Sequence, residues 1–448
     1  MCTAICSWLR RQGIRVAPFK AQNMSNNSYP SLSGGEIGRA QVAQAMACGL
    51  EPEPAMNPIL LKPNSAAHCQ VVLNGKVWKT LPARSYYEHF DELLKVVLQS
   101  YEDLASRFDF VVIEGAGSVT ELNLRPFDLV NFGLATRVSA PALLVSDIER
   151  GGVFASVLGT VVLLEPEEKK LLRSFAINKF RGNLSLFDDG RRILEQRSGL
   201  PCLGVFPHVA DLHLDDEDSL SVPPAGLTEH SRYAILRFPT VSNTTDFRLI
   251  PNPVWIDQPI ERPFEVVFLP GTKNTIHDLM WMRTQSLDEW VLDQARHGAT
   301  IVGICGGFQM LGQLIRDPDA VESAVSESPG LGLLPMETTM QAEKTVRRVT
   351  GKTAEGILVS GYEIHMGQSR TFARDTTPLF ELEDGSIEGI RAPGVIGTYV
   401  HGALESPEFL RHVLGIHPMP FQAGDTSYAR LADWFDAHAN GFAELYLS

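Results

Sequence analysis

Short apolar runs at 110–113, 142–145, 175–177 and 203–206 alternate with stretches whose apolar residues recur at helical spacing. That is the rhythm of a parallel sheet covered by helices. It stops near residue 220, where Ser221-Val222-Pro223-Pro224-Ala225-Gly226 suits neither helix nor strand and reads as a linker. A second series follows, with apolar runs at 233–238, 266–269, 300–304 and 397–400. The pattern predicts an α/β chain of two domains, 1–224 and 225–448, each built on a parallel sheet. The length of 448 residues agrees, being more than one core serves. No internal repeat or low-complexity tract interrupts either series, and the acidic run from Asp215 to Asp218 reads as a solvated loop.

Composition narrows the function. With 44% hydrophobic and 21% charged residues the chain is of the globular class, and a formal charge of -14 argues against nucleic acid and against an anionic membrane surface. Small molecules become the expected partners. The cysteines at 2, 6, 48, 69, 202 and 305 form no CxxC pair and no ligand-like cluster with the histidines, which points to neither a disulfide framework nor a zinc site. No window is apolar for long enough to span a bilayer, and the amino end lacks the pattern of a signal peptide. The expected location is the cytoplasm.

The apolar run at 300–304 ends in Cys305, followed at once by Gly306 and Gly307 and by a helical pattern from Phe308. This places a thiol at a sharp strand-to-helix turn, where a helix dipole favours a thiolate. Amide hydrolysis through a thiolate needs a base that hands its proton to the leaving ammonia and donors for the tetrahedral oxyanion. His401, which follows the run at 397–400 and precedes Gly402, is the candidate base. The backbone N–H groups around Gly306 and Gly271 are the candidate oxyanion donors, since glycine lets the backbone approach closely. The chemistry so read is release of ammonia from glutamine.

The motifs ICGGFQMLG at 304–312, TYVHG at 398–402, VSNTTDF at 241–247, LPGTKNT at 269–275 and GYEIHMG at 361–367 resemble, in order and spacing, the class I glutamine amidotransferases of the cobyric acid and cobyrinic acid diamide synthase branch. Most class I glutaminases carry a Glu two residues after the histidine; Ala403 stands there, as in this branch. The third member of the triad is therefore unassigned, and Glu405 does not qualify on sequence alone.

The first half resembles the dethiobiotin-synthetase-like, P-loop-type domain of the same family from Val16 to about Val222. The resemblance rests on APFKAQNMSNNS at 17–28, GRAQ at 38–41, Met56-Asn57-Pro58 with Lys62-Pro63, EGAGS at 114–118, SDIERGGVFAS at 146–156 and INKFRG at 177–182. It implies that Lys20 neutralises a phosphoryl group, that Glu114 holds Mg²⁺ beside ATP, and that Asn178 meets the adenine or else forms a turn. Gln22, Asn23, Arg39 and Asp147 are the candidates for facing a corrinoid. Family members also carry a glycine-rich phosphate loop and its strand ahead of the helix that 1–13 matches; neither is in this sequence. The expectation is an incomplete amino end, with a paralogue reduced to glutaminase or corrinoid binding as the alternative. A strand withheld from a parallel sheet would leave its neighbours' edges unpaired.

The resemblance implies a glutamine- and ATP-dependent amidoligase acting on the b, d, e and g carboxylates of adenosylcobyrinic acid a,c-diamide. The related a,c-diamide synthase is the other enzyme reading, and QNMSNNS and INKFRG argue against it.

Overall fold

The computed structural model describes residues 1–63, 68–82, 84–209, 231–372, 376–420 and 425–447. The linker at 221–226, the acidic run at 215–218 and the boundary at 224/225 lie outside the described residues. After a first helix, α1 (Cys2–Arg11), strand β1 (Val16–Phe19) pairs in parallel with β2 (Phe110–Ile113), Val16 lying opposite Phe110. Three further parallel strands, β3 (Ala142–Asp147), β4 (Leu172–Phe180) and β5 (Cys202–Pro207), run in the order β5-β4-β3. Strand β4 is longer than the apolar run at 175–177 because its ladder continues through polar positions. Ser174 is fully buried there, and its hydroxyl pairs with Tyr446 Oη at 2.7 Å.

Among the described residues the two groups of strands are not hydrogen-bonded to each other. The facing edges of β2 and β3 line a largely apolar groove of about 410 Å³, which Met1, Cys2 and Ile5 of α1 also border. Between β1 and β2 in sequence lies a mixed sheet of Gln22–Met24, Ile59–Pro63, His68–Leu73 and Lys76–Pro82, paired in that order.

The second half is built on one sheet. Its strands β6 (Tyr233–Leu236), β7 (Val254–Ile256), β8 (Val266–Leu269), β9 (Thr300–Ile304) and, further on, β12 (Val395–Thr398) lie in the order β7-β6-β8-β9-β12, all parallel. Helix α2 (Gly306–Leu311) follows β9. The sheet then continues in antiparallel sense through the long strands β10 (Met336–Lys352) and β11 (Leu358–Thr371). Strands β6, β8 and β9 are buried along almost their whole length, as parallel strands covered on both faces are, which is why their sequences are unbroken apolar runs. Cys305 and His401 follow the carboxyl ends of neighbouring strands, β9 and β12, where open α/β sheets place their ligands.

The chain then returns to its start. Helices α3 (Asp425–His438) and α4 (Phe442–Tyr446) pack Leu431, Phe435 and Phe442 against Ala4, Ile5 and Leu9 of α1. Ser7 Oγ donates to the Tyr428 carbonyl at 2.8 Å, and Trp8 Nε1 to Asp436 Oδ1 at 2.7 Å. The halves also meet through a buried ionic cluster: Glu36 accepts from Lys62 Nζ at 2.7 Å and from Lys344 of β10.

Candidate active site

Cys305 sits between β9 and α2 with φ 51° and ψ -109°. A non-glycine residue at such positive φ costs roughly 1–3 kcal/mol and persists only where its surroundings fix it. Here they do: Cys305 N–H donates to the Thr398 carbonyl at 2.8 Å, and its own carbonyl accepts from Gln309 N–H at 3.0 Å. The turn passes so close to β8 that a Cβ at Gly307 would lie 2.0 Å from the Leu269 carbonyl oxygen, which only glycine avoids. Cys305 is buried, with Sγ 3.5 Å from the Ile364 carbonyl.

His401 is fully buried. Its backbone pairs with Tyr362 of β11 in both directions, N–H to carbonyl, at 2.9 and 3.0 Å. The Tyr362 ring stacks on the imidazole at 5.3 Å between centroids. The ring nitrogen Nδ1 lies 2.7 Å from Asp246 Oδ2, while Asp246 Oδ1 accepts from Gly402 N–H at 2.6 Å. Burial opposes charge on this ring. The Asp246 carboxylate, by charge and by hydrogen bond, and then Cys305 outweigh it, lifting the His401 pKa to about 10.

Asp246 is thus the residue that orients the imidazole, and the reading of the motifs left it unassigned. It lies on a 3₁₀ turn, Thr244–Phe247, inside the VSNTTDF motif, and is fully buried. The available signal was an acidic residue in a motif of small polar residues; what hid it is a separation of 155 residues from His401. Ala403 is buried beside the base. Glu405 turns away from it, paired with Arg248 and lying 3.6 Å from Arg39.

Gly271 and Gly306 lie in the same place. A Cβ on Gly271 would stand 2.8 Å from His401 Cε1, and one on Gly306 would stand 2.4 Å from Thr272 Cγ2. A cavity of about 30 Å³ beside Cys305 and Gly306 is bordered by Gln309, Lys273, Glu322, Lys344 and His365, and by Asn26 and Lys62 of the first half. Burial pushes Lys273 down and Glu322 up, and the charge of each partly offsets the effect on the other. Glu322 accepts from Thr275 N–H at 3.3 Å, so two groups of opposite charge border the same cavity.

In the first half, Lys20 Nζ is 3.0 Å from Glu114 Oε1, and Gln44 donates to the other carboxylate oxygen. Lys20 is only 4% exposed. Glu114 also borders a cavity of about 520 Å³ with Gly115, Gly117 and Ser118, beyond the end of β2. Among the described residues no group of three or more His, Cys, Asp or Glu gathers as a metal cage. A single carboxylate beside open space suits Mg²⁺, which takes its remaining ligands from phosphates and water.

Asn178 and Asp147 are partners across β4 and β3. Asp147 is held by Lys179 Nζ at 2.9 Å, which keeps its carboxyl below the usual range despite some burial. The other candidates go elsewhere. Gln22 accepts from Tyr86 Oη, and Asn23 Nδ2 donates to Gln41 Oε1 at 2.9 Å. Arg39 lies in the seam over the rings of Tyr29 and Tyr362, at 5.0 and 5.8 Å. The structure therefore gathers Cys305, His401, Gly271 and Gly306, gathers Lys20 with Glu114, and leaves Gln22, Asn23, Arg39 and Asp147 on separate contacts.

The model of the CobQ/CobB/MinD/ParA nucleotide binding domain matches residues 1–222, and that of the CobB/CobQ-like glutamine amidotransferase domain matches residues 232–409. The chain is 43% identical over 438 residues to the cobyric acid synthase of Syntrophobacter fumaroxidans, covering 91% of this chain and 84% of that one. To the cobyric acid synthase of Rhodococcus jostii it is 42% identical over 449 residues, covering 97% and 86%.

Proposed function

The chain belongs to the cobyric acid synthases, glutamine-dependent amidoligases of cobalamin biosynthesis, and from that premise we propose which acids it amidates and which residues do so. Its substrate is adenosylcobyrinic acid a,c-diamide, amidated at the b, d, e and g carboxylates. The observation that carries the nitrogen-donating half is the constellation of Cys305, His401 and Asp246.

In that half the Cys305 thiolate attacks the side-chain carbonyl carbon of glutamine, forming a C–S bond. The C–N bond breaks as the His401 imidazolium gives its proton to the departing ammonia. Water then cleaves the thioester to glutamate and returns the thiol. Asp246 holds the ring through Nδ1, and backbone N–H groups near Gly271 and Gly306 face the oxyanion. Lys273 and Glu322 suit the carboxylate and ammonium of the glutamine head.

In the first half ATP transfers its γ-phosphoryl to a substrate carboxylate. Ammonia attacks the resulting acyl phosphate, releasing phosphate and leaving the amide. Lys20 neutralises charge on the transferring group, and Asn178 serves the adenine. Gln22, Asn23, Arg39 and Asp147 belong to the corrinoid side. Mg²⁺, held by Glu114, would neutralise phosphate charge.

Incubation with the a,c-diamide, ATP, Mg²⁺ and glutamine, followed by mass spectrometry, tests the assignment. The expected product gains four amides. In a parallel incubation with unamidated cobyrinic acid, amidation of the a and c acids alone would transfer the chain to the diamide synthase reading, and glutamate release with no corrinoid product in either would leave a glutaminase.

A further inference from the structure

Around His401, the charged group in direct contact drives the ring toward imidazolium: Asp246 on its 3₁₀ turn, aided by Cys305 at the end of β9. Strand β11 adds the neutral ring of Tyr362 and, further off, His365, which burial holds down at about 4 and so leaves uncharged. One contact has the opposite sense. Asn243 Nδ2 lies 3.3 Å from His401 Nε2. An amide N–H directed there needs the Nε2 lone pair, and so favours the neutral ring carrying its proton on Nδ1 toward Asp246.

The first half decides which end of that amide faces the histidine. Ser28 N–H donates to Asn243 Oδ1 at 3.1 Å, which fixes the oxygen toward Ser28 and leaves the NH₂ for His401. Asn243 N–H donates to Asn27 Oδ1 at 2.7 Å. A flipped amide would set two donors against each other at Ser28. Asn243 is 4% exposed and stands at φ 54°, a left-handed conformation held from across the seam. The segment that holds it is anchored in turn: Asn27 N–H donates to Ser25 Oγ at 2.9 Å, and Ser28 Oγ donates to Glu36, the carboxylate shared by Lys62 and Lys344. It follows directly on Gln22 and Asn23.

We propose that the first half restrains the resting glutaminase: Asn27 and Ser28 aim the Asn243 amide N–H at His401 Nε2, a contact that opposes the imidazolium needed by the departing ammonia, until residues 25–28 shift. Asn243 is a positioning residue in this scheme. It borders the cavity beside Cys305, and the effect proposed for it runs through the base. The arrangement ties ammonia release to the state of the half that consumes ammonia, and it rests on the glutaminase reading above.

The test is glutamine hydrolysis by the full chain without ATP or corrinoid, as a function of pH, for wild type, Asn27→Ala and Asn243→Asp. In Asn27→Ala kcat rises about fivefold, the equivalent of one hydrogen bond, with KM for glutamine within about twofold. In Asn243→Asp a carboxylate accepts from both Ser28 N–H and Nε2–H, so imidazolium is favoured and the alkaline limb of the profile moves up by about one pH unit. The His401 resonance, assigned by its loss in His401→Gln, titrates upward with it. Asn27→Ala with the wild-type rate and limb, or with a lower rate on the wild-type limb, overturns the proposal. If Asn27→Ala does not fold, an unmoved limb in Asn243→Asp overturns it alone. Wild type that releases no glutamate overturns the underlying reading instead.

Discussion

The two halves hold their candidate groups in different ways. The second brings Cys305, His401 and Asp246 together from three distant segments on one sheet and buries all three. The first spreads Lys20, Glu114, Asn178 and Asp147 over two groups of strands whose facing edges border an apolar groove. A thiolate, its base and an orienting carboxylate need water excluded and angstrom-scale positions, which a continuous sheet supplies. Phosphoryl transfer to a large acid needs a wide polar cleft, and Glu114 already borders a cavity of about 520 Å³. The seam joins the two demands, since the charged cluster that closes it also anchors the segment that holds Asn243 beside His401.

The sharpest way to separate the halves is Glu114→Gln. It removes the carboxylate beside Lys20, and amide formation falls on the order of a thousandfold with glutamine and with ammonia alike. Glutamine hydrolysis persists. A loss confined to glutamine would erase the distinction between the halves.

Asp246→Asn acts next, on the other side. Without the carboxylate, burial works against the imidazolium with only Cys305 to oppose it, so the His401 pKa falls from about 10 and kcat for glutamine hydrolysis drops about a hundredfold. Ammonia-driven amidation stays. The raised pKa also has a stability consequence: the charged His401–Asp246 pair contributes fully below the ordinary histidine range and is lost as pH rises through about 10. Unfolding of Asp246→Asn compared with wild type across that range measures it.

Glu36→Gln strikes the seam. It leaves two buried ammonium groups, Lys62 and Lys344, without their counter-charge, at a cost of about 3–5 kcal/mol in urea unfolding. Burial opposes the Glu36 charge, yet Lys344 and Lys62 together hold its carboxyl well below the usual range. Its contribution is therefore present above the ordinary carboxylate pKa and is lost only as pH falls far into acid. A wild-type urea midpoint in Glu36→Gln would show that the cluster does not hold the halves together.

What could be read from the sequence follows from how local each signal is. The buried parallel strands were legible because both faces are covered and the runs stay apolar, as in Val266–Leu269 and Thr300–Ile304. The strand-to-helix turn at Cys305 was legible because a tight crossing over Leu269 demands glycine at 307, two residues after the cysteine. The ends of β4 were not, since Ser174 enters the core only by virtue of Tyr446 far along the chain. Helical spacing in α3 shows an apolar face but not that its partner is α1, the first helix. Asp246 was missed for the same reason. Its role is a contact between residues 155 apart, and nothing in a short window distinguishes it from a capping aspartate.

The most direct test of the account is Cys305→Ala assayed with each nitrogen donor in turn. Glutamine-dependent amidation is lost by about a thousandfold or more, while amidation from ammonium remains within about twofold of wild type, since the thiolate forms the covalent bond to glutamine alone. Equal loss with both donors would contradict the separation of ammonia release from acid activation on which the reading of the two halves depends.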